Sequence, residues 1–236
     1  MSVSARGVRW LGVPDVTELQ RTACRRIIEA AERAIKQRGE FVIALAGGNT
    51  PRGVYRLLSE QNADWSQWNV YFGDERYLPA DDAERNSRMA AVEWLDHVPI
   101  PKDQVHPIPA ELGATAAALA YAETLRDVGE FDFVLLGLGE DAHTASLFPS
   151  HEWGTAPGSP DALAVFDAPK PLPQRVSLSA SRLSRSREVL FLVAGESKHT
   201  AIARWRADEE IPARAIRPPS GVDVLFESKL LPAGAT

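Results

Sequence analysis

Short apolar runs that end at glycine or charged residues constrain the fold of this chain more than any other feature. The clearest run, Phe41 to Ala46, is almost entirely apolar, which is typical of a strand buried on both faces of a parallel sheet. Helical patterns separate such runs, and strands that alternate with helices favour an α/β fold. We therefore predict a three-layer α/β fold with a mostly parallel, Rossmann-like sheet and helices on both faces. The predicted strands are Phe41–Ala46, Val70–Phe72, Phe131–Leu136, Val176–Leu178, Val189–Val193 and Val222–Phe226.

Helical patterns fill the segments between the predicted strands. From Asp15 to Arg38 apolar residues recur at helical spacing, and Gly39 is a natural stop. A second helix follows the strand at Phe41, because Thr50 suits the cap position and Pro51 the first helical position. A further helical pattern includes Ile202 and Trp205.

The chain is predicted to form one domain over residues 1–236. Its 44% hydrophobic and 25% charged residues are ordinary for a globular protein, and a chain of 236 residues can bury a substantial core. Prolines cluster at Pro99–Pro109, Pro157–Pro173 and Pro212–Pro219. We predict loops there rather than domain linkers, because the strand–helix pattern continues across each cluster.

Composition argues against several classes of function. The net charge of −6 argues against a broad basic surface for nucleic acid and against electrostatic docking on anionic membranes. Cys24 is the single cysteine, so no internal disulfide or thiolate cluster can form, and we expect it to be a packing residue. Met1 to Pro14 lacks the apolar core of a signal peptide, and no apolar run approaches the roughly 18 residues of a membrane span. We expect a cytoplasmic protein.

Four polar clusters come at or directly after the ends of predicted strands. Ligands of open α/β sheets bind outside the carboxyl ends of the strands, so the predicted fold brings these clusters to one edge of the sheet. We expect the binding site at that edge. The clusters are Gly47–Arg52, Asp74–Arg76, Gly137–His143 and Gly195–Lys198.

The first of these clusters has the features of an anion site. Two glycines allow close approach of the backbone, the next helix presents free N–H groups at its start, and Thr50 adds a hydroxyl. Lys198 and Arg175 are candidates for further contacts with a phosphate. The structural alternatives are a tight capped turn for the cluster and solvated surface positions for the two cations. The cluster is not a P-loop, because no Gly-Lys-Ser/Thr follows.

His143 is the strongest candidate for a general base. It lies in a glycine-rich loop beside Asp141 and Glu140, and imidazole titrates near neutrality, so it can take a proton from water. Asp74 is suited to orient a substrate hydroxyl or the histidine, and Arg76 to hold an anion or stabilise an oxyanion. The structural alternatives are a hydrogen-bonded histidine without catalytic role and an ion pair between Asp74 and Arg76.

Three other kinds of site are poorly supported by the sequence. The Gly137–Ala142 segment has dinucleotide-binding glycine spacing, but Pro149 would end the following helix early and no strand with a terminal acid lies about 20 residues further on. Asp141 and His143 have no third metal ligand at a recognisable spacing. Ser146 lacks the Gly-x-Ser-x-Gly context of a serine hydrolase.

In these clusters the sequence resembles the 6-phosphogluconolactonase family. The resemblance covers about residues 40–200, keeps the family's order of motifs, and is specific when the motifs are taken together. The matching segments are Ala46-Gly-Gly-Asn-Thr-Pro51, Gly73-Asp-Glu-Arg76, Gly137-Leu-Gly-Glu-Asp-Ala-His-Thr-Ala-Ser-Leu-Phe-Pro149, Arg175-Val-Ser-Leu-Ser179 and Gly195-Glu-Ser-Lys198.

The resemblance implies hydrolysis of 6-phospho-D-glucono-1,5-lactone to 6-phosphogluconate in the pentose phosphate pathway, without a metal or an organic cofactor. It implies a fold similar to that of glucosamine-6-phosphate deaminase and ribose-5-phosphate isomerase. By the same resemblance His143 is the catalytic histidine, and Asp74 and Arg76 are polar residues of the active site. The implied phosphate contacts are Gly48, Asn49, Thr50, Arg175 and Lys198.

The sequence departs from the family at two places. Ala142 stands where the family usually has glycine, and if this position needs a positive φ, alanine is strained there. The stretch from Gly221 onward matches the family poorly, and the sequence assigns it no role.

Two alternatives to a lactonase stay open. A glucosamine-6-phosphate deaminase shares the phosphate loop, although the segment Thr144–Pro149 resembles the lactonases. A non-catalytic sugar-phosphate sensor usually carries a DNA-binding module, whereas the residues before Phe41 predict one long helix and no basic recognition helix. The oligomeric state is not determined by the sequence, and a monomer is the default expectation.

Overall fold

A seven-stranded parallel sheet forms the centre of the computed structural model, which describes residues 7–156 and 158–231. These residues also form a three-stranded antiparallel sheet. In chain order the strands are β1 (Val8–Val13), β2 (Phe41–Leu45), β3 (Trp68–Phe72), β4 (Asp74–Arg76), β5 (Val105–His106), β6 (Phe131–Gly137), β7 (Ala162–Val165), β8 (Arg175–Leu178), β9 (Ser186–Val193) and β10 (Val222–Glu227). The large sheet has the order β1-β10-β9-β6-β2-β3-β5 and the small sheet β4-β8-β7. Predictions for residues 1–6, Pro157 and 232–236 lie outside the described residues.

Helices surround the large sheet, which confirms the predicted three-layer α/β fold. In chain order they are α1 (Val16–Arg38), α2 (Asn49–Ser59), α3 (Asn86–Glu93), α4 (Ala114–Thr124), α5 (Ala180–Ser184), α6 (His199–Arg206) and α7 (Pro212–Ala215). The longest, α1, packs on β2, β6 and β10 and against α2. No helix in the described part of the chain is long and apolar enough to cross a membrane.

The first helix follows directly from its sequence. Asp15 caps the N-terminus of α1 by accepting a hydrogen bond from the backbone N–H of Glu18 at 2.9 Å. Gly39 ends the helix with a left-handed φ of 85°, which glycine adopts at little cost. The face of α1 that carries Leu19 and Cys24 is buried. The predicted helix and the packing role of Cys24 are therefore confirmed.

The start of α2 differs from the prediction. Gly48, not Thr50, occupies the cap position, and Thr50 lies inside the helix. Gly48 has a φ of 100° and a ψ of 171°, a backbone conformation reserved essentially for glycine, and no side chain caps the helix. The chain therefore turns on Gly48 and enters the helix at Asn49, so the prediction of Thr50 as the cap was wrong.

Several short elements were not predicted. The strand β1 precedes α1, so the expectation of a helix alone before Phe41 was wrong. This strand lies at the sheet edge and its residues are exposed or half-buried, although Arg9 is its only polar residue. Val176–Leu178 is a strand as predicted, but it belongs to the small antiparallel sheet. The proline-rich segments predicted to be loops contain β5, β7 and α7.

The stretch from Gly221 onward has a structural role that the sequence did not indicate. Its strand β10 lies between β1 and β9 in the large sheet. At the end of this strand the buried Glu227 carboxylate accepts a hydrogen bond from the backbone N–H of Gly195 at 2.6 Å. Glu227 thereby fixes the start of the segment that carries Lys198.

Two buried tyrosine hydroxyls hold the carboxyl ends of neighbouring strands. The Tyr55 hydroxyl donates to the carbonyl of Ala46 at 2.6 Å and accepts from its N–H at 3.1 Å. The Tyr121 hydroxyl makes the same pair of contacts with Phe72, at 3.2 and 2.8 Å. Buried backbone groups must find such partners where strands diverge. These two side chains therefore fix the points from which the polar clusters after β2 and β3 begin.

We predict that Tyr55→Phe and Tyr121→Phe each lower the free energy of unfolding by about 1–3 kcal/mol, because each leaves a buried N–H and a carbonyl without a partner. Urea denaturation measures this. Tyr77→Phe is the matched control, since Tyr77 is exposed, and its stability should match that of the wild type. Wild-type stability in both buried variants would show that the hydroxyls do not hold the strand ends.

Candidate active site

An open cleft of about 400 Å³ lies at the carboxyl ends of β2, β3, β6 and β9. It is formed by the residues that follow these strands, together with side chains from the small sheet and from the loop before β8. All the residues that the sequence singled out for catalysis or phosphate binding line this one cleft: Gly48, Asn49, Thr50, Asp74, Arg76, His143, Arg175 and Lys198.

The two glycines after β2 are needed for different reasons. A Cβ on Gly47 would lie 2.0 Å from Oδ1 of Asn86, so the Asn86 side chain requires glycine there. Gly48 has free space around it, but its backbone conformation is one that other residues rarely adopt. The turn leads into α2, whose first N–H groups have no partner within the helix and lie at the cleft. This arrangement suits an anion.

The His143 side chain is held by Asp141, from its own loop. Its Nδ1 lies 2.5 Å from Oδ1 of Asp141. A carboxylate only accepts hydrogen bonds, so the neutral ring carries its proton on Nδ1 and leaves Nε2 as the basic nitrogen. Burial alone would raise the pKa of Asp141, but the hydrogen bond and charge of His143 outweigh it and lower that pKa. Of the two roles predicted for Asp74, orienting the histidine is thus performed by Asp141.

The loop backbone brings the histidine ring close to Gly139. A Cβ at Gly139 would lie 2.1 Å from Nδ1 of His143. The Gly139 N–H donates to the carbonyl of His143 at 2.7 Å, and the Ala142 N–H donates to the carbonyl of Gly139 at 3.0 Å. From α6, Arg204 donates to the carbonyl of Asp141 at 2.9 Å. These contacts close the loop around the imidazole.

Ala142, which stands where the family usually has glycine, adopts a positive φ. Its φ is 73° and its side chain is fully buried. The left-handed conformation costs an alanine roughly 1–2 kcal/mol. The loop keeps this conformation because the hydrogen bonds around Gly139 and Asp141 fix it on both sides. The strain expected at this position is therefore present.

Asp74 is part of a buried polar network rather than an ion pair. One of its carboxylate oxygens accepts from the Ser146 hydroxyl at 2.6 Å, and the other from the Asn86 amide at 3.1 Å. Arg76 instead donates to the carbonyl of Glu84 at 2.5 Å, and no ion pair joins Asp74 to Arg76 in the described residues. The buried Glu75 accepts from the backbone N–H of Asn86 at 2.8 Å and so positions the amide that holds Asp74.

The cations of the cleft differ in their partners. Arg175 donates through Nε to the carbonyl of Leu172 at 3.0 Å and through Nη2 to that of Pro171 at 2.9 Å. Burial lowers the pKa of this guanidinium. The Lys198 ammonium has no hydrogen-bond or ion-pair partner among the described residues, and burial lowers its pKa. An unpaired, half-buried ammonium at a cleft indicates a site for an anion.

Three polar side chains that line the cleft had no role predicted from the sequence: Asn86, Glu140 and Lys170. Lys170 lies between two prolines in the segment predicted to be a loop, five positions before Arg175. Asn86 begins α3. The one related signal in the sequence is Gly47, which must lack a Cβ because the Asn86 side chain lies against it. The described residues contain no group of three or more His, Cys, Asp and Glu side chains placed to hold a metal ion.

Comparisons with known proteins show which proteins this chain is similar to. The chain is 40% identical over 204 residues to the 6-phosphogluconolactonase of Mycobacterium tuberculosis, which covers 80% of this chain and 82% of that protein. It is 40% identical over 199 residues to the 6-phosphogluconolactonase of Synechocystis, covering 79% and 81%. The solved structure of 6-phosphogluconolactonase from Trypanosoma brucei superposes with a TM-score of 0.85 at 29% identity, covering 96% of this chain and 98% of that one.

A family model for glucosamine-6-phosphate isomerases and 6-phosphogluconolactonases matches residues 14–225. The match contains every strand end that forms the cleft and reaches into β10. The chain therefore belongs to the glucosamine-6-phosphate isomerase/6-phosphogluconolactonase family.

Proposed function

We propose that this protein hydrolyses 6-phospho-D-glucono-1,5-lactone to 6-phospho-D-gluconate, the lactonase reaction of the pentose phosphate pathway, with His143 as the general base. The curated relatives described above are 6-phosphogluconolactonases. The observation that carries the mechanism is the Asp141–His143 pair, which lines the same cleft as the unpaired ammonium of Lys198.

The phosphate is bound by Lys198 and by the turn of Gly48, Asn49 and Thr50. The lysine supplies a positive charge and the start of α2 supplies free N–H groups. Arg175 uses two of its donor nitrogens on the loop before β8, so its contribution to phosphate binding comes through Nη1. Binding the phosphate at Lys198 and this turn places the lactone ring near His143 and so reduces the entropy cost of the reaction.

Hydrolysis proceeds by general acid–base catalysis. Nε2 of His143 takes a proton from water, and the water oxygen attacks the lactone carbonyl carbon. Arg76 stabilises the resulting oxyanion, while Asp141 stabilises the imidazolium. The bond from the carbonyl carbon to the ring oxygen then breaks, and His143 returns its proton to that oxygen. Asp74, fixed by Ser146 and Asn86, orients a sugar hydroxyl.

We further propose that residues 1–236 act as one catalytic domain in the cytoplasm, as a monomer with a small-molecule substrate and without nucleic-acid or membrane partners. The net charge of −6 supports the last part, because it provides no broad basic surface. The large sheet supports the first part, since its strands extend from Val8 to Glu227.

His143→Ala is predicted to lower kcat by about 10²–10⁴-fold, as loss of a general base does. A lactonase assay on freshly generated substrate, corrected for spontaneous ring opening, measures it. His97→Ala is the matched control, because His97 is exposed and does not line the cleft. Near-normal turnover in the His143 variant would remove this residue from the mechanism. Release of ammonia from glucosamine 6-phosphate would instead favour the isomerase branch of the family.

Lys198→Ala is predicted to raise KM more than it lowers kcat, because the phosphate is bound equally in the ground state and the transition state. The same assay at varied substrate concentration separates the two constants. Lys102→Ala removes an exposed lysine away from the cleft and serves as the control. An unchanged KM in the Lys198 variant would contradict the phosphate role.

A further inference from the structure

An ion pair that the mechanism above does not use joins two loops at the cleft. Nζ of Lys170 lies 2.5 Å from Oε1 of Glu140. Lys170 comes from the loop between β7 and β8, and Glu140 from the loop that carries His143. Both residues line the cleft. The pair therefore joins the two loops beside the proposed phosphate site.

Glu140 lies within electrostatic range of two ammonium groups. Its pKa is lowered first by the hydrogen bond from Lys170 and further by the charge of Lys198. The charges of Glu140 and Asp141 act on both lysines, but Lys170 alone is hydrogen-bonded to one of these carboxylates, and Lys198 has no hydrogen-bonded partner among the described residues. The cleft thus contains two cations that a single multidentate anion can bind.

The position of Lys170 does not depend on Glu140 alone. Arg175 donates to the carbonyls of Pro171 and Leu172, the two residues that follow Lys170. The Arg175 guanidinium is itself fixed against the buried ring of Phe148, 5.5 Å from its centroid. The loop therefore keeps the lysine at the cleft when its carboxylate partner is displaced.

We propose that Lys170 is a second ligand of the substrate phosphate, and that Glu140 occupies it in the empty enzyme until the phosphate displaces the carboxylate. The Lys170–Glu140 pair is accessible to water, with side chains 31% and 57% exposed, and such pairs are weak. A phosphate monoester carries close to two negative charges and three acceptor oxygens. It can therefore bind Lys170 and Lys198 together, which a carboxylate on the His143 loop does not do.

This inference rests on the proposed function and adds a specific role for Glu140. Glu140 competes equally with the phosphate of the substrate and with that of the product. Such competition raises KM without reducing the stabilisation of the transition state relative to the bound substrate, and it speeds release of 6-phosphogluconate. Lys170 acts as a binding residue and Glu140 as its exchangeable counter-ion.

The test measures the inhibition constants of 6-phosphogluconate and of inorganic phosphate in the lactonase assay at fixed ionic strength. The variants are Lys170→Met, Glu140→Gln and the double variant. Lys170→Met is expected to weaken both inhibitors by about 10-fold or more, the effect of losing one charge-assisted hydrogen bond. Glu140→Gln is expected to tighten both, and to do so more in the wild-type background than beside Lys170→Met. Glu196→Gln is the control, because it removes a carboxylate that pairs with Lys229 and does not line the cleft.

The outcomes separate this inference from the proposed function. Unchanged inhibition constants in Lys170→Met, with normal lactone turnover in the wild type, would overturn this inference alone. If Glu140→Gln tightened inhibitor binding equally in both backgrounds, Glu140 would act only by repelling the phosphate. That result would overturn the proposed exchange with Lys170. Absence of lactonase activity in the wild type would overturn the proposed function and this inference with it.

Discussion

The hydrogen bond between Asp141 and His143 is the interaction on which the proposed chemistry depends. It is short, at 2.5 Å, and it selects the tautomer whose Nε2 can accept a proton. The loop can form it only because Gly139 has no Cβ, since the imidazole lies where that atom would be. Arg204 fixes the other side of the loop through the carbonyl of Asp141. A strained Ala142 is retained within this framework.

The cations in the rest of the cleft differ in which groups they donate hydrogen bonds to. Arg76 and Arg175 donate to backbone carbonyls and are partly structural. Lys170 is neutralised by Glu140, and Lys198 has no partner among the described residues. A strongly charged ligand therefore meets one cation without a partner, one that is paired with a carboxylate, and two that already donate to the backbone. This order explains why Lys198 is the first phosphate ligand in our account and why Lys170 becomes available by exchange.

The sequence predicted the central strands and the meeting of their polar ends, because both follow from local patterns. An apolar run such as Phe131–Leu136 requires burial on both faces, and parallel strands end at one edge. Contacts between distant segments could not be predicted in this way. The Asn86 amide reaches Asp74 and Gly47 only through the fold. The edge strand β1 is short and interrupted by Arg9, and its place in the sheet depends on pairing with the distant strand β10. Lys170 carries no motif of its own in a proline-rich segment.

The most direct measurement of the central claim is the protonation of the two ring nitrogens of His143 in the neutral state, by NMR of the ¹⁵N-labelled protein. The account predicts a proton on Nδ1 and none on Nε2 in the wild type, with this preference lost in Asp141→Asn. A wild-type ring that carries its proton on Nε2 would contradict the account, because the nitrogen assigned to take a proton from water would already hold one.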